Sequence, residues 1–416
     1  MAGKLKEEKV FKDPVHKYIY VQDQTVWDLI NTREFQRLRR IRQLGTTFFT
    51  FHGAEHSRFS HSLGVYEIAR KIISSFERNG YPDWPVEEKL LCLCAALLHD
   101  VGHGPFSHSI EPVFDMRHEE WSCQIILGDT EINRVLRRVS PDFPQKVAEV
   151  ISKTYGKKIV TSLISGQLDA DRMDYLLRDA YFTGVNYGMF DIERILRVMR
   201  PFKNHIVVKE SGMHAVEDYL MSRYQMYWQF YFHPVTRSSE IILRKIFQRA
   251  KALYQDGFRF QFLFPPLAGM LNQNMTLDEY LLLDESFMQM AMMQWTNEQD
   301  PILADLCSRF MHRRLFKYVV KEQLEEQALE QIQNRMRRKG IDPEYYLAVD
   351  FPGDYPYDVY DPGKTEQGKL PVYLLEENGK LTEISTRSQI VRSLSGIQLG
   401  KYYVYYPGDW FDISEE

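Results

Sequence analysis

The residues with the clearest capacity for chemistry lie in Leu97-Leu98-His99-Asp100-Val101-Gly102-His103-Gly104-Pro105-Phe106-Ser107-His108, where an apolar run ends in three histidines, an aspartate and two glycines. Apolar residues bury, so the histidines and the aspartate beside them must find partners. An adjacent His and Asp at the end of a buried helix can present an imidazole nitrogen and a carboxylate oxygen to one point. That pairing suits a divalent metal of borderline softness. The competing reading is a plain helix stop, with Gly102 and Gly104 as C-cap glycines and Pro105 opening the next helix.

Other stretches decide between these readings. His61 falls near the start of a helix expected to run to about Phe76. Within Gln167–Asp179, a helix would stack Asp171, Tyr175 and Asp179 at i, i+4 and i+8 on one face. Arg223, Tyr227 and Tyr231 repeat that spacing in a long helix expected over Met213 to about Phe232 and ended by Pro234. His61, His99, Asp100 and Asp171 thus offer two imidazoles and two carboxylates from three helices. All-oxygen sites favour magnesium or calcium, whereas this mixed set suits iron, manganese or zinc. A metal so held lowers the pKa of a bound water and polarises a phosphoryl oxygen. His103, His108, His118 and Glu119 are then candidate acids and bases, and Arg58, Arg172 and Arg223 candidate partners for substrate phosphates.

The elements that must position these groups read as mainly helical. Residues 1–24, with Pro14 and alternating Tyr18-Ile19-Tyr20-Val21, read as a short hairpin or arm. From Val26 to Leu44 apolar residues recur at helical spacing, and Arg33, Arg37, Arg39, Arg40 and Arg42 crowd the other faces. Acidic i,i+4 partners are nearly absent, so this face is expected to await phosphates or an acidic partner. The run from Pro85 to His99 is apolar nearly all round and belongs at the centre. Helices are expected at about 145–156 and 159–165, a β-like segment over Asn204–Lys209, and ordinary helices from 236 to 340, the last polar and spanning 321–339. After Gly340 the stretches Tyr345–Phe351, Leu370–Leu375 and Lys401–Tyr406 turn β-rich between Pro, Gly and Asp turns. The expected organisation is an arm (1–24), a helical domain (25–340, core motifs 35–240) and a small α+β C-terminal appendage (341–416).

Bulk properties fit a globular chain. Of 416 residues 44% are hydrophobic and 26% charged, which excludes disordered and membrane classes. With 52 basic against 57 acidic residues, nothing global indicates a nucleic-acid surface. Cys92, Cys94, Cys123 and Cys307 do not form a disulfide framework in a chain this long. The polar N-terminus lacks the apolar core of a signal peptide, and no apolar run reaches about 18 residues. A soluble protein in the reduced cytoplasm, without membrane attachment, is expected.

His61, followed by His99-Asp100 and later Asp171, resembles the signature of the HD superfamily of metal-dependent phosphohydrolases. Asp13-Pro14-Val15-His16, Phe35-Gln36-Arg37-Leu38-Arg39, Gln43-Leu44-Gly45, Arg58 to Gly64, His99 to His108 and Asp171 to Asp179 are similar, in that order, to its deoxynucleoside triphosphate (dNTP) triphosphohydrolase branch, in bacterial form. The resemblance covers roughly residues 8–250. It implies an HD-domain helical core and hydrolysis of a dNTP to a deoxynucleoside and inorganic triphosphate. It implies that His61, His99, Asp100 and Asp171 bind the metal, with Mg2+ accompanying the nucleotide. His108 would protonate the leaving 5′ oxygen with His103 close by, and His118-Glu119 would orient the catalytic histidine. Arg58, Arg172, Arg223 and Tyr227 match positions that contact phosphates and sugar, Gln43, Tyr175 and Asp179 those that read the 3′-hydroxyl, and Leu44 and Tyr231 those that crowd the 2′ carbon. It further implies a homotetramer activated by a dNTP or GTP at Lys9, Asn31, Gln36 and Arg39. Here Asn31 stands where mammalian members have aspartate, and Arg172 and Tyr227 stand where they have Lys and His. Two alternatives are another HD phosphohydrolase, acting on monophosphates or cyclic nucleotides, and a nucleotide-sensing or nucleic-acid-binding protein with little catalysis.

Overall fold

The computed structural model of the chain describes residues 3–351, 371–394 and 400–413. Among these the architecture is mainly α, with three small sheets. None of the described helices is long and apolar enough to cross a membrane. Leu370, the first residue of the predicted Leu370–Leu375 stretch, and residues 352–370, 395–399 and 414–416 of the predicted appendage lie outside the described residues.

Three helices form the centre. Lys89–Leu98 is apolar on every side, and each residue from Leu91 to Leu98 is buried. It packs against Arg58–Arg78, whose Val65, Ile68, Ala69, Ile72 and Ile73 are all fully buried, and that helix in turn meets Ala170–Thr183. The last has Asp169 as N-cap, its carboxylate accepting from Arg172 N, and Gly184 in the left-handed conformation as its stop. Gly64 permits the close approach of these two helices. A Cβ there would stand 1.9 Å from Asp174 Oδ1 and 2.4 Å from an Arg178 guanidinium nitrogen.

The single helix expected over Val26–Leu44 is broken. Gln24–Ile30 ends at Asn31, Thr32 caps a new helix over Arg33–Arg37, and a 3-10 turn covers Leu38–Arg40. Thr32 Oγ1 takes the Phe35 N–H, a local bond that competes with continuing the first helix. The cationic face is also not vacant. Arg40 pairs with Asp284, Arg42 with Glu285 and Glu55, and Arg33 with Glu34 and Asp278, while buried Arg37 donates to the carbonyls of His103 and Leu283. The acids missing at i,i+4 arrive largely from residues 278–285, remote in sequence. Among the described residues neither Arg37 nor Arg39 has a carboxylate partner; Arg39 donates to Gln36 and lies 3.6 Å over the Phe59 ring.

The glycines after His99 also act otherwise than as helix caps. Neither Gly102 nor Gly104 has positive φ; Phe106 takes the left-handed conformation, with φ 54°. Gly102 serves close packing, since a Cβ there would meet Ser122 N at 2.1 Å and His118 O at 2.3 Å. Phe106 opens the helix Ser107–Phe114, and a second helix, His118–Leu127, follows and packs against Phe143–Ile151.

The N-terminal arm is a hairpin of Lys4–Asp13 and Lys17–Asp23. Met199–Phe202 and His205–Lys209 form another around Lys203 and Asn204, both at positive φ as a type I′ turn requires. Residues after 340 form no separate sheet among those described. Tyr373–Leu375 pairs in parallel with the His205–Lys209 strand, and Tyr402–Tyr406 lies between Ala348–Asp350 and Lys317–Lys321. The long helix predicted to Phe232 is α-helical over Met213–Met226 and becomes a π-helical turn over Tyr227–Tyr231.

Candidate active site

His61, His99 and Asp171 converge from the three central elements. Asp171 Oδ1 lies 3.1 Å from His61 Nε2 and 3.6 Å from His99 Nε2. Asp100 adds Oδ1 at 3.3 Å from His99 Nε2 and Oδ2 at 3.8 Å from His61 Nε2. His99 donates from Nδ1 to the carbonyl of Ala96 at 2.9 Å, which leaves its buried Nε2 with no hydrogen-bond partner. An orphaned imidazole nitrogen aimed at two carboxylates is the arrangement a metal would complete. Donor chemistry and convergence both fit a divalent cation: His61, His99 and Asp171 are able to hold one, and Asp100 lies beside them with Oδ2 paired to Arg58.

The electrostatics agree. Burial disfavours a charged His61 ring, yet the carboxylates of Asp171 and Asp174 overcome this and lift it to about 10. Against its own burial, Asp100 is held well below the usual carboxylate range by His99, His103 and Arg58, whose guanidinium sits 2.5 Å from Oδ2. Asp171 is held down likewise, by His61 and His99. Carboxylates so biased remain anionic and available as ligands.

His103, His108 and His118 gather beside this cluster, with ring centroids 3.8 Å apart for His103 and His118, 5.2 Å for His103 and His108, and 5.5 Å for His108 and His118. The His103 and His118 rings are stacked 15° from parallel, so their in-plane nitrogen lone pairs lie side by side instead of converging on a cation. This group suits proton handling. Sequence reasoning paired His118 with Glu119, which stands 3.7 Å from Nε2; the carboxylate that takes the His118 Nδ1 proton is Glu111, at 3.2 Å. Glu111 lies three residues after His108 on the same helix, a spacing that could have revealed it. His108 faces the cavity in front of the cluster. Desolvation and then the Arg58 charge push it down to about 4, and the same two causes lower His103.

That cavity, of about 340 Å³, is lined by His108 and by seven of the nine predicted substrate residues: Gln43, Leu44, Arg58, Tyr175, Asp179, Tyr227 and Tyr231. Asp179 is fixed from both sides, accepting from His56 Nε2 at 2.8 Å and from the Tyr231 hydroxyl at 2.7 Å. Gln43 Oε1 is buried and unpartnered. Arg172 and Arg223 do not line the cavity. Arg172 is committed to Asp169 and the carbonyl of Gly166, and Arg223 donates to Gln167 at 3.2 Å. Through the π-turn after Met226 the expected series stays in contact, with the Arg223 guanidinium 5.5 Å from the Tyr227 ring centroid and the Tyr227 and Tyr231 rings 5.3 Å apart, and the Tyr231 hydroxyl reaches Asp179. Of the predicted activator residues, Arg39 bonds to Gln36, Gln36 Nε2 donates to the Ile30 carbonyl, Asn31 Nδ2 donates to the Trp27 carbonyl, and Lys9 sits in the N-terminal hairpin.

The model of the HD domain matches residues 58–179, and that of the HD associated region residues 190–260. Over 98% of its length the chain is 59% identical to the uncharacterized protein YwfO of Bacillus subtilis, covering 94% of that protein. It is 28% identical to the deoxynucleoside triphosphate triphosphohydrolase SAMHD1 of Gallus gallus, over 59% of this chain and 46% of that protein, and so spans about half of that relative. The crystal structure of a phosphohydrolase from Bacteroides thetaiotaomicron aligns over 96% of this chain and 100% of that one, with a TM-score of 0.83 at 28% identity. All four predicted metal ligands fall inside the matched 58–179, and with a near-full-length relative well above 30% identity the chain belongs to the HD-domain phosphohydrolase family.

Proposed function

We propose that the protein is a metal-dependent dNTP triphosphohydrolase, splitting dNTP and water into a deoxynucleoside and inorganic triphosphate. The observation that carries this reading is the cavity itself. A 3′-hydroxyl reader (Asp179 held by His56 and Tyr231), an apolar wall at Leu44, a cation at Arg58 and an acid at His108 share about 340 Å³ beside the metal ligands. The 28% identity to SAMHD1 adds to it.

A divalent cation at His61, His99, Asp100 and Asp171 would supply Lewis acidity at the α-phosphate. The chain's own residues do the rest. Arg58, beside Asp100, is positioned to neutralise charge developing on the α-phosphoryl oxygens. His108 is neutral in the free protein; the incoming polyanion raises its pKa, and the protonated ring delivers its proton to the departing 5′ oxygen. His103 and His118 back it, with Glu111 holding the His118 tautomer. Asp179, Gln43 and Tyr175 bind the 3′-hydroxyl, and Leu44 and Tyr231 leave no partner for a 2′-hydroxyl. A buried hydroxyl left unpaired costs about 1–3 kcal/mol, roughly tenfold to over a hundredfold in selection.

Regulation follows the same reading. Arg39, without a carboxylate partner among the described residues, forms with Lys9, Gln36 and Asn31 a site for an activating dNTP or GTP in a cytoplasmic homotetramer, Mg2+ accompanying the nucleotide. The test is to incubate Mn2+-loaded protein with each dNTP singly, in mixtures, and with GTP. Deoxynucleoside release with a sigmoidal or mixture-dependent rate supports the reading. No release under any mixture refutes the activity, and a hyperbolic, activator-independent rate refutes the regulation.

A further inference from the structure

Asp174 is a carboxylate with every lone pair taken. Oδ1 accepts from His16 Nε2 at 2.6 Å and from an Arg178 terminal nitrogen at 3.0 Å; Oδ2 accepts from His61 Nδ1 and from Arg178 Nε, both at 2.8 Å. Four donors exhaust the acceptor capacity of an ionised carboxylate. The group is fully buried, as are His61 and Arg178, and only 3% of the His16 side chain is exposed. With a cation at Nε2, the His61 Nδ1 bond to Asp174 would keep the remaining ring proton on Nδ1, and Nε2 faces Asp171 and Asp100.

His16 does not belong to the helical core. It sits in the turn of the N-terminal hairpin, more than 150 residues from Asp174 in sequence. The turn is rigid for a local reason: Asp13 Oδ1 accepts the backbone N–H of both Val15 and His16 at 2.9 Å, while Asp13 Oδ2 accepts from Arg178 at 2.8 Å. The rest of the hairpin is held by fully buried Ile19 and Val21 and by the Tyr66 hydroxyl donating to the Tyr20 carbonyl. The arm therefore touches the metal cluster through two residues of one turn, and both contacts end on the carboxylate system that aims His61.

We infer that His16 is a positioning residue of the metal centre: by filling the fourth acceptor site of Asp174 it holds that carboxylate against His61, so the seating of the N-terminal hairpin sets the affinity for a divalent cation. This rests on His61 being a metal ligand. It does not depend on which nucleotide is the substrate.

The test uses the full-length protein, stripped of metal and titrated with Mn2+ alone, with the visible absorption of the Co2+ form as a second readout. The His16→Ala protein should bind Mn2+ about 10–100-fold more weakly than the parent, the range seen when an outer partner of a ligand is removed. Its Co2+ bands should shift as His61 loosens. His16→Gln, whose amide can still donate to Asp174, should bind within about threefold of the parent. If the alanine variant fails to fold, His16→Asn serves instead, its side chain one methylene too short to reach. Equal Mn2+ affinity and identical Co2+ spectra in all variants, or equal loss in the glutamine and short variants, would overturn the inference. A parent protein that binds no Mn2+, or a His61→Ala protein that binds as well as the parent, overturns the metal reading itself and this inference with it.

Discussion

Glu111 accepts the His118 Nδ1 proton at 3.2 Å while the His118 ring lies flat on that of His103. The carboxylate thereby fixes the His118 tautomer, and it stands closer to that ring than Glu119, which is 3.7 Å from Nε2. Glu111→Gln keeps the shape but can no longer hold the charge of a protonated His118. It should lower kcat about 10–100-fold, the range for losing a partner that orients a functional histidine, with KM and metal content unchanged. Steady-state kinetics beside metal analysis checks this, and a parent-like kcat removes Glu111 from the mechanism.

His108 is the acid of the proposed reaction. His108→Ala should reduce kcat on a dNTP by about 10²–10⁴-fold. The loss should shrink for a p-nitrophenyl triphosphate, whose leaving group departs without a proton. Comparing the two substrates on parent and variant separates acid catalysis from simple misfolding.

The Asp179 carboxylate, held by His56 and Tyr231, makes a discriminating contact in this account. Asp179→Ala should cost about 1–3 kcal/mol in kcat/KM for a dNTP and little for its 2′,3′-dideoxy counterpart. The ratio of the two substrates is the quantity to measure. An unchanged ratio means that Asp179 does not read the 3′-hydroxyl.

The histidine cluster also sets a pH dependence. His108, although exposed at the cavity, takes up a proton near pH 6.5 in an unfolded chain but only near 4 when folded, because desolvation against the cavity wall and the Arg58 charge oppose its protonation. The unfolded state therefore binds more protons between these values. Stability is fully present above about pH 6.5 and falls as the pH drops towards 4; His103 acts in the same direction. The metal-free protein should melt lower at about pH 5 than at about pH 7.5, and His108→Ala should flatten that slope. Identical slopes for parent and variant contradict the assignment.

Gly64 is predicted to be irreplaceable on packing grounds. A methyl group there would overlap Asp174 and Arg178, neither of which can yield without abandoning a buried partner. Gly64→Ala should cost about 3 kcal/mol or more, combining overpacking with a disturbed buried ion pair. Chemical denaturation measures it directly.

Much of this was legible in the residues. The apolar run before His99 marked the central helix, and the spacing of His61, His99-Asp100 and Asp171 marked a cluster that the fold brings together. What escaped were partners distant in sequence. The arginines of 33–42 looked unpaired because Asp284 and Glu285 lie more than 240 residues away. His16 looked like part of a loose arm because nothing local links it to Asp174. Glu111 is three residues from His108 on one helix turn, whereas Glu119, adjacent to His118 in sequence, is its more distant carboxylate in space. The break at Asn31-Thr32 and the π-turn at Tyr227–Tyr231 are local choices between competing backbone hydrogen bonds, which apolar periodicity does not register.

The central claim concerns one bond, that between the α-phosphorus and the 5′ oxygen of a deoxynucleotide. Hydrolysis of a dNTP mixture by the Mn2+-loaded protein in 18O-enriched water, followed by mass spectrometry of the products, tests it most directly. The account predicts equal amounts of deoxynucleoside and inorganic triphosphate, with the label in the triphosphate and none in the nucleoside. Orthophosphate or pyrophosphate as the released product, or label in the nucleoside, would contradict it.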